Sequence, residues 1–189
     1  MTDETPEEST YRPEFEAALR LFARVSEAMA ARGIPRPILV GGAAVELYTL
    51  SAVSTGDFDL CTPSQDELEA EFRAHGFVRP SGPGRSTRGW VHPDLGLGFE
   101  VVASAPLDSQ ADPERIRLVT VDATGDRFRV LSVEDMIADR VGQYASGSAP
   151  EMLEQARALR RLHPELDLAY LDRRVRYESM GDYGAEHTE

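Results

Sequence analysis

Lysine is absent from this 189-residue chain: all 20 basic residues are arginine, set against 33 acidic residues for a formal net charge of −13. Without lysine there is no Walker A loop, no pyridoxal Schiff base and no protein-kinase or Ser–Lys hydrolase scheme. The single cysteine, Cys61, excludes an intramolecular disulfide framework and a cysteine-based zinc site. No apolar run approaches the ~18–20 residues of a membrane span, and the acidic start MTDETPEEST does not read as a signal peptide. The expected location is therefore the cytoplasm, with no membrane partner. The scarcity of positive charge argues against general duplex DNA binding, which rests on phosphate neutralisation. It leaves room for a small anion held by a local arginine pocket.

What is present suffices for a folded α+β chain, since 41% of the residues are apolar. Phe15, Leu19, Phe22, Val25 and Met29 recur at steps of three and four, predicting an amphipathic helix over 13–32 closed by Gly33. Ile38-Leu39-Val40 reads as a buried strand breaking at Gly41-Gly42, with a helix from Ala43 to about Leu50. Asp57 to Cys61 alternates polar and apolar like a strand with one wet face. Ser64 with Glu67 predicts a capping box for a helix to His75. Phe77-Val78, Gly89 to Val91 and Leu97 to Val102 read as strands, 106–113 as loop, and 116–121 with 128–131 as a hairpin. From Leu131 the pattern turns helical, with capping boxes at Ser132/Asp135 and Ser148/Glu151 and a third helix from Pro164 to Tyr177. The expected organisation is a core over 11–131, a helical C-terminal extension over 132–178, and loose tails at 1–10 and 179–189.

Chemistry concentrates in three acids. Asp57 and Asp59 flank Phe58 on a strand, so both carboxylates face one side, ~6.5–7 Å apart at the backbone. Such a pair repels itself unless a hard cation such as Mg²⁺ lies between. Glu100 sits in the apolar run Phe99–Val102, where an unpaired carboxylate is costly. The turn Gly41-Gly42 permits close backbone approach, and free N–H groups at the following helix start attract phosphate. Together these predict a two-metal site for phosphoryl chemistry, with at least one carboxyl pKa raised by crowding. Ser54 and Thr55 are further phosphate donors by position. Arg85 and Arg88 stand in a glycine-rich loop facing the expected cleft, where guanidinium suits phosphate. Arg117, Arg127 and Arg129 line the late hairpin. The four histidines have no ligand spacing, and Cys61 reads as a small buried filler.

Gly41-Gly42, Asp57-Phe58-Asp59-Leu60 and Glu100 in an apolar strand resemble the DNA polymerase β-type nucleotidyltransferase superfamily. The run LVGGAAVELY…STGDFDL is most similar to small prokaryotic nucleotidyltransferase-like proteins, including toxins of type IV toxin–antitoxin systems. LSVEDMIADRV resembles the helix that follows their core. The resemblance spans about residues 36–145. It implies a nucleotidyltransferase-type mixed sheet flanked by helices, and two Mg²⁺ ions bound by Asp57 and Asp59 with Glu100 on the catalytic one. It also implies a nucleoside triphosphate at Gly41, Gly42 and Arg140, and transfer of a nucleoside monophosphate to a hydroxyl of RNA, protein or a small molecule. Ala43 stands where many members carry serine, Arg140 where relatives often carry lysine, and 14 residues separate Gly42 from Asp57. The alternative expectation is a catalytically inactive relative, a nucleotide sensor or an interaction module paired with a cognate antitoxin.

Overall fold

The computed structural model describes residues 10–80, 89–147 and 149–189. Helix α1, Pro13–Ala31, opens on a proline at its first turn and buries Phe15, Leu19, Phe22, Val25 and Met29. Strand β1, Ile38–Val40, runs straight into α2, Gly41–Tyr48, and β2 covers Phe58–Cys61. Then come α3, Gln65–Ala74, strands β3, Trp90–Val91, and β4, Gly98–Ala103, and the hairpin β5, Arg117–Thr120, with β6, Arg127–Val130. Helices α4, Val133–Ala145, α5, Met152–Leu162, and α6, Leu168–Glu178, complete the order.

The strands form one mixed sheet in the order β3-β4-β2-β1-β6-β5. β1 is antiparallel to β2 and parallel to β6, while β2 is parallel to β4. Strand alternation sends Phe58 and Leu60 to one face. There Phe58 meets Phe15 and Phe22 of α1 and stacks on Phe99 of β4, ring centroids 4.5 Å apart in that last pair. Phe72 of α3 meets Phe99 from the same side. All five rings are fully buried, each contributing about 1.5–3 kcal/mol by removal from water. This face is anchored, so the polar alternates Asp59 and Glu100 are held on the other.

On that other side α4 packs against α2, α5 and α6. The Ser132 cap is made as expected: its Oγ accepts from the Asp135 amide at 3.1 Å. Asp135 is itself buried, and its carboxylate accepts from Ser132 Oγ (2.8 Å), Tyr170 Oη (2.9 and 3.0 Å) and Arg174 Nε (3.1 Å). Tyr48 Oη donates to the Leu131 carbonyl at 2.7 Å, tying α2 to the start of the helical part.

Several local expectations are corrected. Ser64 caps nothing with its side chain; its amide instead donates to Thr62 Oγ1 at 3.1 Å, because Thr62 forms the tighter local turn. Phe77-Val78 reduces to one bridge, Val78 with Val91. The 106–113 loop contains two 3-10 turns, Pro106–Ser109 and Pro113–Arg115. Residues 179–189 are folded back rather than loose. The Ala185 amide donates to Asp172 Oδ1 at 3.0 Å, and Thr188 is buried in a short 3-10 turn, Ala185–Thr188. Ser148, half of one expected capping box, lies outside the described residues, as do 1–9. Among the described residues no helix is long and apolar enough to cross a membrane.

Candidate active site

The register places Val40 beside Asp59 and Asp59 beside Glu100, so β1, β2 and β4 present these three in a row. Gly41 follows Val40 directly and turns with φ +63°, a left-handed conformation suited to glycine. A Cβ there would lie 2.0 Å from Asp59 Oδ2. Glycine is therefore required twice, for the turn and for the carboxylate beneath it. Gly41→Ala is expected to cost at least about 1–3 kcal/mol from backbone strain alone, and more as Asp59 is displaced. A urea midpoint equal to wild type would show that the turn relaxes freely.

Asp59 is half-buried, and its pKa is raised. Burial is the main cause, and the charges of Asp57 and Glu100 add to it. The Gly42 amide and Arg140 oppose the rise by favouring the carboxylate. Asp57 lies just ahead of β2, exposed, and accepts from the Gly98 amide at 2.9 Å. Glu100 opens into a hollow shared with Gln65, Glu69 and Trp90. Sequence reasoning expects the three acids to close on one ion. Among the described residues, however, no group of three His, Cys, Asp or Glu side chains is close enough to hold a metal jointly. The local reason is that Asp57 turns to the Gly98 amide while Asp59 turns to the glycine pair.

Beside Asp59 a cleft of about 420 Å³ separates the sheet from the helices, with Gly41, Asp59 and Cys61 on one wall and Asp139, Arg140 and Glu178 on the other. Arg140 is buried; its Nη2 pairs with Asp139 Oδ2 at 2.9 Å and its Nη1 meets Met152 Sδ at 3.0 Å. Its Nε is buried with no partner. A buried donor left unmade costs about 1–3 kcal/mol. Burial, with Asp139 and Asp59 nearby, pushes the Cys61 thiol up to about 11, so it is no nucleophile.

Other expected donors fare differently. Thr55 is not free for phosphate, because its amide and Oγ1 both donate to Glu46 Oε2, at 2.7 and 3.2 Å. Ser54 is exposed. Arg85 and Arg88 lie outside the described residues. Arg127 pairs with Glu27 at 3.3 Å, and Arg117 lies over the Tyr48 ring. Sequence reasoning passed over Glu46, although it too is an acid inside an apolar run, the signal used for Glu100. It also passed over Asp139 and Glu178, which on their own helices read as ordinary solvated acids.

No protein-family model matches the chain, and no curated protein is significantly similar in sequence. Solved structures do match. The crystal structure of an antigenic nucleotidyltransferase-like protein from Paracoccidioides brasiliensis superposes with a TM-score of 0.57 at 16% identity, covering 91% of this chain and 90% of that one. The solution structure of the antibiotic-resistance factor ANT(2'')-Ia gives a TM-score of 0.53 at 19% identity, covering 87% of this chain and 95% of that one. With its six-stranded mixed sheet and flanking helices, the chain has the α+β fold of nucleotidyltransferase-like proteins.

Proposed function

We propose that the protein is a nucleotidyltransferase that binds a nucleoside triphosphate in the cleft beside Asp59 and moves its nucleoside monophosphate to a hydroxyl acceptor. The observation that carries this reading is a cleft of about 420 Å³ lined by Gly41, Asp59 and Arg140. It sets a guanidinium charge beside the glycine turn and the Asp59 carboxylate, where a metal-bound phosphate would gain from it. The nucleotidyltransferase-like fold neighbours support the same reading.

The donor set fits Mg²⁺ in kind, since Asp57, Asp59 and Glu100 are hard oxygen donors at one end of the sheet, and Asp59 feels the charge of the other two. Asp57 and Asp59 would hold the ion, with Glu100 beside them. Because among the described residues no three acid side chains close on one point, water and substrate phosphate would supply the remaining oxygens, the usual habit of Mg²⁺. When bound, the ion supplies positive charge to the phosphates and lowers the pKa of the attacking hydroxyl. The chain's own contribution is orientation. Gly41 lets the Asp59 carboxylate pack against the turn at the cleft wall, and Arg140 would set a positive charge beside the phosphates. The acceptor oxygen attacks the α-phosphorus, the bond to pyrophosphate breaks, and Glu100 accepts the hydroxyl proton. The products are the nucleotidylated acceptor and pyrophosphate.

Titration calorimetry with each of the four ribonucleoside triphosphates and Mg²⁺, beside Arg140→Met, tests the binding half. At least one triphosphate should bind wild type, and the variant should lose roughly tenfold, the effect of removing one charge-assisted bond of about 1.5 kcal/mol. No binding to wild type overturns the reading. Binding without turnover on any acceptor would make the protein a nucleotide sensor instead.

A further inference from the structure

We propose that Glu46 and Arg12 act as a positioning pair, holding the 51–57 segment, and through it Asp57, so that the site binds its metal–triphosphate tightly. The inference rests on the nucleotide reading above. Glu46 lies on α2, five residues beyond Gly41, and its carboxylate is fully buried. It accepts from Arg12 Nε (2.5 Å), Arg12 Nη2 (3.1 Å), Ser51 Oγ (3.0 Å), the Thr55 amide (2.7 Å) and Thr55 Oγ1 (3.2 Å). Arg12 Nη2 also donates to the Thr55 carbonyl at 2.6 Å, and the Arg12 amide donates to Ser51 Oγ at 3.2 Å. Thr55 is thus gripped on both sides of its residue, by its N–H and its C=O. Two residues later the chain delivers Asp57. The same threonine abuts the glycine turn, where a Cβ on Gly42 would lie 2.9 Å from Thr55 Cβ.

No helix or strand spans 50–57, so these side chains supply the order that backbone ladders supply elsewhere. A buried ion pair is a poor device for stability alone, since apolar residues of equal volume do as well or better. It is a good device for specifying one geometry, because each oxygen has a fixed set of donors. Here those donors come from the start of α1 and from the segment leading to Asp57. The pair therefore acts on the site through Thr55 and touches neither substrate nor metal itself.

Arg12→Lys and Glu46→Gln separate positioning from folding. Lysine keeps the charge but cannot span both the carboxylate and the Thr55 carbonyl. Two readouts are needed: hydrogen exchange of the 52–57 amides, and affinity for whichever of Mg·ATP, Mg·GTP, Mg·CTP or Mg·UTP wild type binds. Met29→Ala, a core truncation at the opposite end of α1 from Arg12, serves as a destabilised control away from this network and from the cleft. Both test variants should lose protection at 52–57 and at least ~10-fold in affinity, as for outer-shell partners of metal ligands. The control should lose melting temperature alone. Unchanged exchange, or fast exchange with unchanged affinity, overturns the proposal. Should Glu46→Gln fail to fold, Arg12→Lys decides. Failure of wild type to bind any triphosphate overturns the nucleotide reading instead; the exchange data then decide the positioning, with retained protection refuting it and lost protection supporting it.

Discussion

Asp59→Asn is expected, on the proposed role of Asp59 as a Mg²⁺ ligand, to lose at least ~100-fold in Mg²⁺-dependent triphosphate binding or turnover, because even outer-shell partners of metal ligands cost 10–100-fold. The same substitution should leave the protein as stable as wild type at neutral pH, or more so. The carboxyl pKa is raised, chiefly by burial and further by Asp57 and Glu100. A raised pKa means that Asp59 favours folding below the ordinary carboxylate pKa and loses that contribution as pH rises through its own. At pH 7 the ionised group is therefore a burden, which asparagine relieves while still accepting from the Gly42 amide. Melting curves at pH 4 and pH 7, paired with calorimetry, check both halves. The advantage of the variant should shrink towards acid. A strongly destabilised Asp59→Asn protein would instead make Asp59 a structural anchor for the glycine turn and remove it from the chemistry.

Asp135→Ala should be the most destabilising of the substitutions considered, by about 3–5 kcal/mol, because it breaks a buried network and leaves Arg174 only its Glu178 partner. Asp135 is fully buried and Arg174 nearly so, and the carboxylate also satisfies Tyr170 Oη and Ser132 Oγ. Alanine leaves all three without their acceptor at the junction of α4 and α6. For a chain of this length the loss corresponds to a Tm drop of roughly 10 °C. The functional consequence follows from α4 itself, which carries Asp139 and Arg140 to the cleft wall. Triphosphate affinity should fall with the loosened helix even below the melting transition. A loss under 1 kcal/mol would show that water replaces the carboxylate and that the network is not what seats α4.

The elements that follow from a local pattern were legible in the sequence, and they are the ones that frame the site. The spacing of Phe15, Leu19, Phe22, Val25 and Met29 places α1, because a helix repeats every 3.6 residues whatever surrounds it. Alternation around Phe58 and Leu60 puts Asp59 on the opposite face for the same kind of reason. The glycine pair after β1 announces a close approach, and the structure supplies what approaches: the carboxylate of Asp59. The neighbour of Glu100 could not be read this way, since parallel pairing of β2 with β4 joins segments about 40 residues apart.

What the amino-acid sequence determined by itself was the type of each main element and the strand face on which Asp59 lies. Tertiary structure alone decided which groups are free to act. Thr55 reads as a phosphate donor until Glu46 and Arg12 close on it from 9 and 43 residues away. Arg140 reads only as the counterpart of a lysine in similar proteins, whereas burial on α4 and pairing with Asp139 decide what its guanidinium touches. Residues 179–189 read as a loose end until Asp172 and Ser179 supply partners for them. Periodicity is a property of neighbours along the chain and survives any fold, but a hydrogen bond between distant segments exists only once packing has chosen which faces meet.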